Sequence, residues 1–414
     1  MMNSKEIVLE NGMKLILVNT NKFKTVNVGI TFEDKMSDKD ITCDRLLIKL
    51  LTTKTKEHST IKEFKNYLKD LYDTSVSCTS NLMGETYSFC VYVNAINKKF
   101  ALHNENLLES EFKVLNEVLR KPFINENGFD NDYFKETKSD YKQSLLNMNN
   151  YKEYAILKEV NKVIGKDNKL VVISDGYLDE LNNTSNEDVF KKYNNLNEMA
   201  TSIYVVGEFD EEEVFKYVNK YLDFSGSRSK NNYFTKNEMK KYDDKSIDSK
   251  FNQSAIACLY DLDVCIGSEL YYPAVLFVEL FNYYLFKIVR EEYNFCYSIY
   301  TVYYGSRGIC LLQSNIEEKN YAKTLEVIDE ILNDLRNKID DKVLKICKDK
   351  ITSQLEKSED NPLKIMSNAY INEVYDMGNI EEQINKVNNV NKDEIMKVAK
   401  MLNKKFNVIL KEGK

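Results

Sequence analysis

The sequence offers few side chains for metal or acid–base chemistry. It contains two histidines, His58 and His103, which lie too far apart in the chain to form the histidine pair of a helical zinc site. Each is more simply a lone surface or core histidine. Patterns for phosphate or dinucleotide binding are absent, as is the G-x-S-x-G pattern of a serine hydrolase. A Ser/His/Asp or Cys/His site that uses either histidine stays possible in principle but has no local support.

The cysteines and the apolar runs bear on the compartment of the protein. None of the eight cysteines belongs to a C-x-x-C pair, and most lie in apolar strand-like or helical patterns, which predicts buried free thiols. The N-terminal segment MMNSKEIVLENGMKLILVNT lacks an apolar core long enough for a signal peptide, and we expect no later run to span a bilayer. The sequence therefore predicts a cytoplasmic protein in a reducing environment.

Length and charge narrow the class of protein further. A chain of 414 residues, with 43% hydrophobic and 30% charged residues, predicts a soluble protein of about two domains. The formal net charge of −7 argues against a nucleic-acid binder, which needs a basic surface to displace counterions. The same mild acidity suits a cavity that admits neutral or basic peptides.

Local signals predict alternating strands and helices. Asn11-Gly12 between two apolar runs predicts a β-hairpin, and the alternation in TVNVGITF predicts a half-buried strand. Thr60 and Glu63 form a capping box at the start of a helix, and Gly165 is placed to end another. The longer helices are predicted over 42–52, 104–120, 129–147, 151–164, 271–290 and 321–337.

The second half of the chain repeats the order of strands and helices seen in the first half. Residues 225–248 lose the apolar periodicity and gather Ser, Gly, Asn and charged residues, which predicts a linker between a domain over 1–224 and another over 249–414. The predicted fold class is α+β. Each domain is expected to be a largely antiparallel sheet with helices packed on one face.

The most specific segment is Arg290-Glu291-Glu292-Tyr293-Asn294-Phe295-Cys296-Tyr297. It resembles the second-domain signature of the insulinase/pitrilysin (inverzincin, mitochondrial-processing-peptidase-like) family, in which an Arg and a Tyr flank a Gly-Leu-Ala-like turn. The chain departs from the signature at Asn294, where the family has Gly, and at Phe295-Cys296 in place of Leu-Ala. The resemblance implies a duplicated LuxS/metallopeptidase-like fold and substrate-binding roles for Arg290 and Tyr297.

A guanidinium and a phenol suit such a role because both donate hydrogen bonds to a carbonyl oxygen that gains negative charge. The plainer alternative is that Arg290 is a helix-terminal arginine on a solvated face and that Tyr297 is an ordinary sheet residue. The tyrosine-rich stretch Tyr297–Tyr304 alternates as a strand, so about half of its rings are expected to face solvent or a substrate.

Active members of this family carry a His-x-x-Glu-His motif on the first long helix, together with a downstream Glu ligand. The histidines bind zinc and the intervening Glu activates the metal-bound water. Alignment of KTKEHSTIKEF with the family segment that follows this helix places the motif at Arg45-Leu46-Leu47-Ile48-Lys49. The charges of Arg45 and Lys49 would repel a metal ion, so the resemblance implies no metal and no catalytic residue on this chain.

In the two-chain branch of the family, one chain carries zinc and its partner carries the Arg/Tyr pair. The resemblance therefore implies a non-catalytic subunit, inactive alone, which forms a heterodimer and a peptide-processing chamber with a zinc-carrying homologue. Its expected partners are that homologue and a peptide substrate. One alternative is a purely structural or binding module, like the non-catalytic core subunits of respiratory complexes. The other is an independent hydrolase with a different site.

Overall fold

The computed structural model describes residues 4–103, 105–165, 168–226, 231–235 and 239–413. It divides into two compact units. Unit 1 comprises Met1–Leu146, Ser174–Asn232 and Ser358–Tyr370, and unit 2 comprises Asn147–Ile173, Tyr233–Lys357 and Ile371–Lys414. Each unit is a mixture of strands and helices, as the sequence predicts.

The strands are β1 (Ser4–Val8), β2 (Lys14–Asn19), β3 (Thr25–Lys35), β4 (Ser75–Met83), β5 (Thr86–Ile96), β6 (Ile124–Asn125), β7 (Gly128–Phe129), β8 (Ala200–Gly207), β9 (Lys245–Asp248), β10 (Ser254–Asp261), β11 (Cys296–Tyr304), β12 (Ile309–Ile316) and β13 (Asn403–Lys411). The α-helices are α1 (Asp38–Leu51), α2 (Ile61–Asp70), α3 (Leu107–Arg120), α4 (Asn131–Met148), α5 (Lys152–Ile164), α6 (Leu178–Asn183), α7 (Asn186–Met199), α8 (Glu211–Tyr221), α9 (Tyr271–Tyr284), α10 (Tyr321–Asn337), α11 (Asp341–Ser358), α12 (Pro362–Tyr375), α13 (Ile380–Asn389) and α14 (Lys392–Met401). A π-helix, Leu285–Glu292, continues directly from α9.

The sheet of unit 1 has the strand order β1-β2-β8-β3-β5-β4, and its pairs are antiparallel except for β2 with β8. Strand β3 was predicted to be half buried, but nearly all of it is buried on both faces. Helix α12 explains the difference, because it packs closely on β3. A Cβ atom added at Gly29 would lie only 2.5 Å from the Cε atom of Met366. A distant part of the chain thus covers the second face of this sheet.

Unit 2 follows the same plan with the strand order β11-β12-β10-β13-β9, antiparallel except for β13 with β9. Helices α9, α10 and α14 form a hydrophobic core on one face of the sheet. On the other face, Ile156, Val160 and Ile164 of α5 pack with Ala257 and Leu259 of β10. The predicted α+β fold is confirmed, and one helix covers the face that was expected to be bare.

The predicted domains are continuous stretches of sequence, one for each repeat. The compact units instead group each helix with the sheet on which it packs. Helix α5 therefore belongs to unit 2, and residues 358–370 belong to unit 1. The boundaries 1–224 and 249–414 stay a prediction. Of the predicted linker, 227–230 and 236–238 lie outside the described residues, and β9 pairs in parallel with β13.

Helix α9 and the π-helix together form a long apolar stretch, Tyr271–Glu292, with a mean hydropathy of 1.2. Among the residues that the structure describes, it is the one helical stretch whose length and composition would allow it to cross a membrane. Our expectation of no such run was therefore too strict. Phe277, Phe281 and Leu285 pack in the hydrophobic core of unit 2, and a buried core helix has this same apolar character.

Among the buried carboxyl groups of unit 1, those of Asp44 on α1 and Glu111 on α3 are the most completely buried. Within the described part of the chain, neither has a hydrogen-bond partner. Burial raises the pKa of both carboxyls, and the neighbouring Asp40 raises that of Asp44 further. Such a group favours folding only while it is protonated, so its contribution is lost as pH rises above about 4, the ordinary carboxyl pKa.

The substitutions Asp44→Asn and Glu111→Gln are expected to flatten the pH dependence of stability because each keeps the side chain neutral. Thermal unfolding would be followed by circular dichroism between pH 5 and pH 8. At pH 8 each variant is expected to lose a destabilisation of about 1–3 kcal/mol. Each kcal/mol raises the midpoint temperature of unfolding by about 2–4 °C. The exposed Glu126→Gln is the matched control. Equal pH slopes in all the variants would contradict the assignment.

Candidate functional site

Arg290 lies in the π-helix that follows α9. Leu285 and Val289 of this segment are buried, whereas Phe286 is 40% exposed and Arg290 is partly exposed. A π-helix is a wider and rarer turn than an α-helix, and it occurs frequently at functional sites. The core helix α9 thus anchors one end of a segment whose other side presents a cation.

Asn294 makes the turn that connects the π-helix to β11. Its φ angle is +54°, in the left-handed region, and the Phe295 N–H donates to the carbonyl oxygen of Val289 over 3.0 Å. After glycine, asparagine is among the residues that adopt this conformation most readily. The departure from the family's glycine therefore preserves a backbone conformation that glycine would also adopt.

The turn brings the two predicted site residues together. The Cζ atom of Arg290 lies 5.4 Å from the centroid of the Tyr297 ring and 4.5 Å from that of Phe286, within the range of cation–π attraction. Phe286 was not predicted as part of the site. It precedes Arg290 by one helical turn, so the i, i+4 spacing of an exposed aromatic and an arginine was the available signal.

Tyr297 is the most exposed member of this cluster, at 78%. In the described residues, neither its hydroxyl nor the Arg290 guanidinium makes a hydrogen bond or an ion pair within the structure. Both groups therefore keep their N–H and O–H donors available for a ligand. Of the four tyrosines in the tyrosine-rich stretch, Tyr297 and Tyr300 are exposed and Tyr303 and Tyr304 are partly buried, so half of the rings face solvent, although their exposure does not alternate.

Strand β11 is the edge strand of its sheet. Its pairing with β12 shifts register between Cys296 and Ile299, so Tyr297 and Ser298 lie in a bulge. No strand within the described ranges pairs with the outer side of β11. An edge strand presents unpaired backbone N–H and C=O groups to which an extended peptide can add. On β11 the Asn282 side chain already bonds both backbone groups of Thr301, so only the part of the strand before Thr301, which includes the bulge, is open to such a peptide.

The predicted position of the zinc motif lies on α1 in unit 1. The Arg45 Nη2 atom is 3.5 Å from the Asp175 Oδ1 atom, and the Lys49 ammonium is 5.4 Å from the Tyr141 ring centroid. Ile48, at the position of the family's Glu, is buried. Over the described ranges, no group of three or more His, Cys, Asp or Glu side chains is arranged to hold a metal ion.

Comparison with known proteins shows what the chain is similar to. Residues 187–351 match the family model described as "Peptidase M16 inactive domain". The match covers less than half of the chain and does not include Arg45 or Lys49.

Several relatives share this architecture. The "probable inactive metalloprotease YmfF" of Bacillus subtilis (strain 168) is 23% identical over 333 residues, which covers 79% of this chain and 78% of the relative. A conserved protein from Enterococcus faecalis V583 has a TM-score of 0.89 at 22% identity, covering 100% of this chain and 99% of that one. A peptidase M16 inactive domain from Pseudomonas fluorescens has a TM-score of 0.81 at 12% identity, with 100% and 99% covered.

One of the two histidines, His58, has partners within unit 1. The His58 ring stacks on Tyr67 with centroids 4.2 Å apart, and its Nδ1 atom lies 2.7 Å from the Oε1 atom of the buried Glu117. The Thr55 hydroxyl also donates to this carboxylate. His58 thus satisfies a buried acid, and His103 is exposed.

Substitutions at Asn294 are expected to follow the rule for a left-handed residue. Asn294→Gly should leave stability unchanged or raise it slightly, and Asn294→Ala should cost about 1–2 kcal/mol, because Cβ clashes in this region. Asn385, an exposed residue in the middle of α13, is the matched control, where the order reverses and Gly costs about 0.5–1 kcal/mol relative to Ala. Thermal or urea unfolding would measure both series, and the same ranking at both positions would refute the turn geometry.

Proposed function

We propose that this chain is the non-catalytic subunit of a two-chain M16 peptidase, and that it contributes Arg290 and Tyr297 to peptide binding. The observation that carries the proposal is an asymmetry within the chain. Arg290 and Tyr297 lie together with free hydrogen-bond donors, whereas the position of the zinc motif holds Arg45 and Lys49. The partner is a zinc-carrying homologue, and the two chains form a chamber for peptides.

In this proposal, Arg290 and Tyr297 donate hydrogen bonds to the carbonyl oxygen of the scissile peptide as it gains negative charge. The rings of Phe286 and Tyr297 hold the guanidinium in place before the substrate arrives, so little reorganisation is needed on binding. A zinc ion on the partner would supply the activated water and polarise the carbonyl. This chain would therefore bind and orient the peptide, and the partner would cleave it.

The edge strand β11 supports the same proposal from the backbone. An extended peptide that pairs with the outer side of β11 before Thr301, whose backbone is bonded to Asn282, would pass beside Tyr297 and the bulge. Pairing through backbone hydrogen bonds tolerates many sequences, which suits a subunit that binds peptides in extended form. We also propose that the protein works in the cytoplasm, and its free cysteines, most of them buried, are compatible with a reducing compartment.

The first experiment is purification of the full chain from its native cell, followed by metal analysis of the proteins that accompany it. A zinc-bearing homologue of similar size is the expected companion, and the chain alone is expected to be inactive towards peptides. Stoichiometric zinc on the isolated chain would overturn the proposal. Peptide cleavage by the isolated chain in the presence of a chelator would instead favour an independent hydrolase.

Arg290→Lys and Tyr297→Phe are then expected to lower kcat of the reconstituted pair by about 10²–10³-fold each, the usual effect of removing one donor to a developing oxyanion. Each variant keeps the charge or the ring, so the fold of the site should survive. Lys287→Gln and Tyr300→Phe, two exposed neighbours, are the matched controls and should retain activity. Full activity of the Arg290 and Tyr297 variants would favour a purely structural or binding module.

A further inference from the structure

Unit 1 contains a pair of cations to which the proposed peptidase role assigns no task. Arg45 and Lys49 lie one turn apart on α1, so their side chains share one face of the helix. Both are partly exposed. Burial lowers the pKa of Lys49, the positive charge of Arg45 lowers it further, and the carboxylate of Asp140 opposes this shift.

The surrounding carboxylates compensate this charge only in part. The Arg45 Nη2 atom lies 3.5 Å from the Asp175 Oδ1 atom, longer than the about 2.7–2.9 Å of a good charge-assisted hydrogen bond. Lys49 forms no ion pair within the described residues, and its ammonium faces the Tyr141 ring. The side chain of Asp44, on the same helix, is buried, and burial raises the pKa of its carboxyl.

The elements around the pair are fixed in place. The Tyr141 hydroxyl donates to the backbone carbonyl oxygen of Asp175 over 2.5 Å, and the Tyr177 N–H donates to the Thr42 hydroxyl over 3.0 Å. Gly176, between them, has a φ angle of +96°, and a Cβ atom there would lie 2.1 Å from the Tyr141 hydroxyl. The backbone that carries Asp175 is therefore held against α1 and α4, while its side chain stays 41% exposed.

We infer that Arg45 and Lys49 form a binding site for a singly charged organic anion, in chemical terms a carboxylate such as the C-terminus of a peptide. The planar guanidinium presents parallel N–H donors that match the two oxygens of a carboxylate, and the ammonium adds a point charge. Asp175 and Asp140 both act on the pair, so the preference for a carboxylate rests on geometry, since its two oxygens match the parallel N–H donors of the guanidinium. The Asp175 carboxylate competes only weakly with a ligand for the Arg45 guanidinium, because their contact is long and the carboxylate is exposed.

This site is independent of the proposed pairing with a zinc-carrying chain, because all of its residues belong to unit 1 of this polypeptide. It places a carboxylate-binding group at the helix position where active relatives are expected to bind a metal. The two roles can therefore fail separately, and the isolated full-length chain is sufficient for the test.

The test uses N-dansyl-tri-alanine, which has one free carboxylate, and its C-terminal amide as probes of dansyl fluorescence with the full chain. The acid is expected to bind at least about tenfold more tightly than the amide, since about 1.4 kcal/mol is a tenfold change and charged hydrogen bonds contribute about that much or more. In Arg45→Gln/Lys49→Gln this preference should fall to less than twofold. Asp175→Asn, which removes the competing carboxylate, should strengthen binding of the acid several-fold.

Lys62→Gln/Lys65→Gln is the matched control, because it removes two exposed charges from α2 and lowers the net charge equally. It should retain the preference for the acid, and circular dichroism should show all variants folded. Equal binding of acid and amide by the unaltered chain would overturn the inference, as would a preference that survives in the Arg45/Lys49 variant. Displacement of the acid by inorganic phosphate more effectively than by acetate would overturn the carboxylate assignment.

Discussion

Burial of both faces of the central strands is the constraint from which the rest of the structure follows. Strand β3 in unit 1 and strand β10 in unit 2 are buried along almost their whole length. A sheet with two apolar faces needs a layer on each, and each unit obtains the second layer from a distant part of the chain, residues 358–370 in one and α5 in the other. Burial of apolar surface stabilises the fold by about 25 cal/mol per Å², so each covering layer contributes to the stability of its unit.

Because the sheets fix their covering helices, the two helices that follow β3 and β10 are rigid supports for charged groups. Helix α1 carries Arg45 and Lys49, and the π-helix that extends α9 carries Arg290. Equivalent elements of the two units therefore present cations. A chain with cations at both positions is suited to bind oxygen atoms that carry negative charge, and it is unsuited to bind the metal ion that relatives with an intact motif require.

The sequence predicted local structure well where the signal was itself local. The capping box at Thr60 begins a helix as expected, and Gly165 ends α5 with a φ angle of +94°. The covering helices escaped prediction because they are joined to the sheets only by contacts between residues far apart in sequence. The exposure of β3 was wrong for the same reason, since alternation alone cannot show that Met366 packs against Gly29.

The candidate site shows a different limit of sequence comparison. Asn294 departs from the family's residue and yet adopts the left-handed backbone that the turn needs, so a mismatch in residue type did not signal a change of geometry. Conversely, Phe286 matched no motif, but its ring completes the cluster that holds Arg290. The position of the guanidinium therefore depends on backbone conformation at one residue and on an aromatic one turn away. To predict such a site, one must know what each position does physically. Residue identity alone does not reveal the turn at Asn294 and the ring of Phe286, which make Arg290 and Tyr297 neighbours.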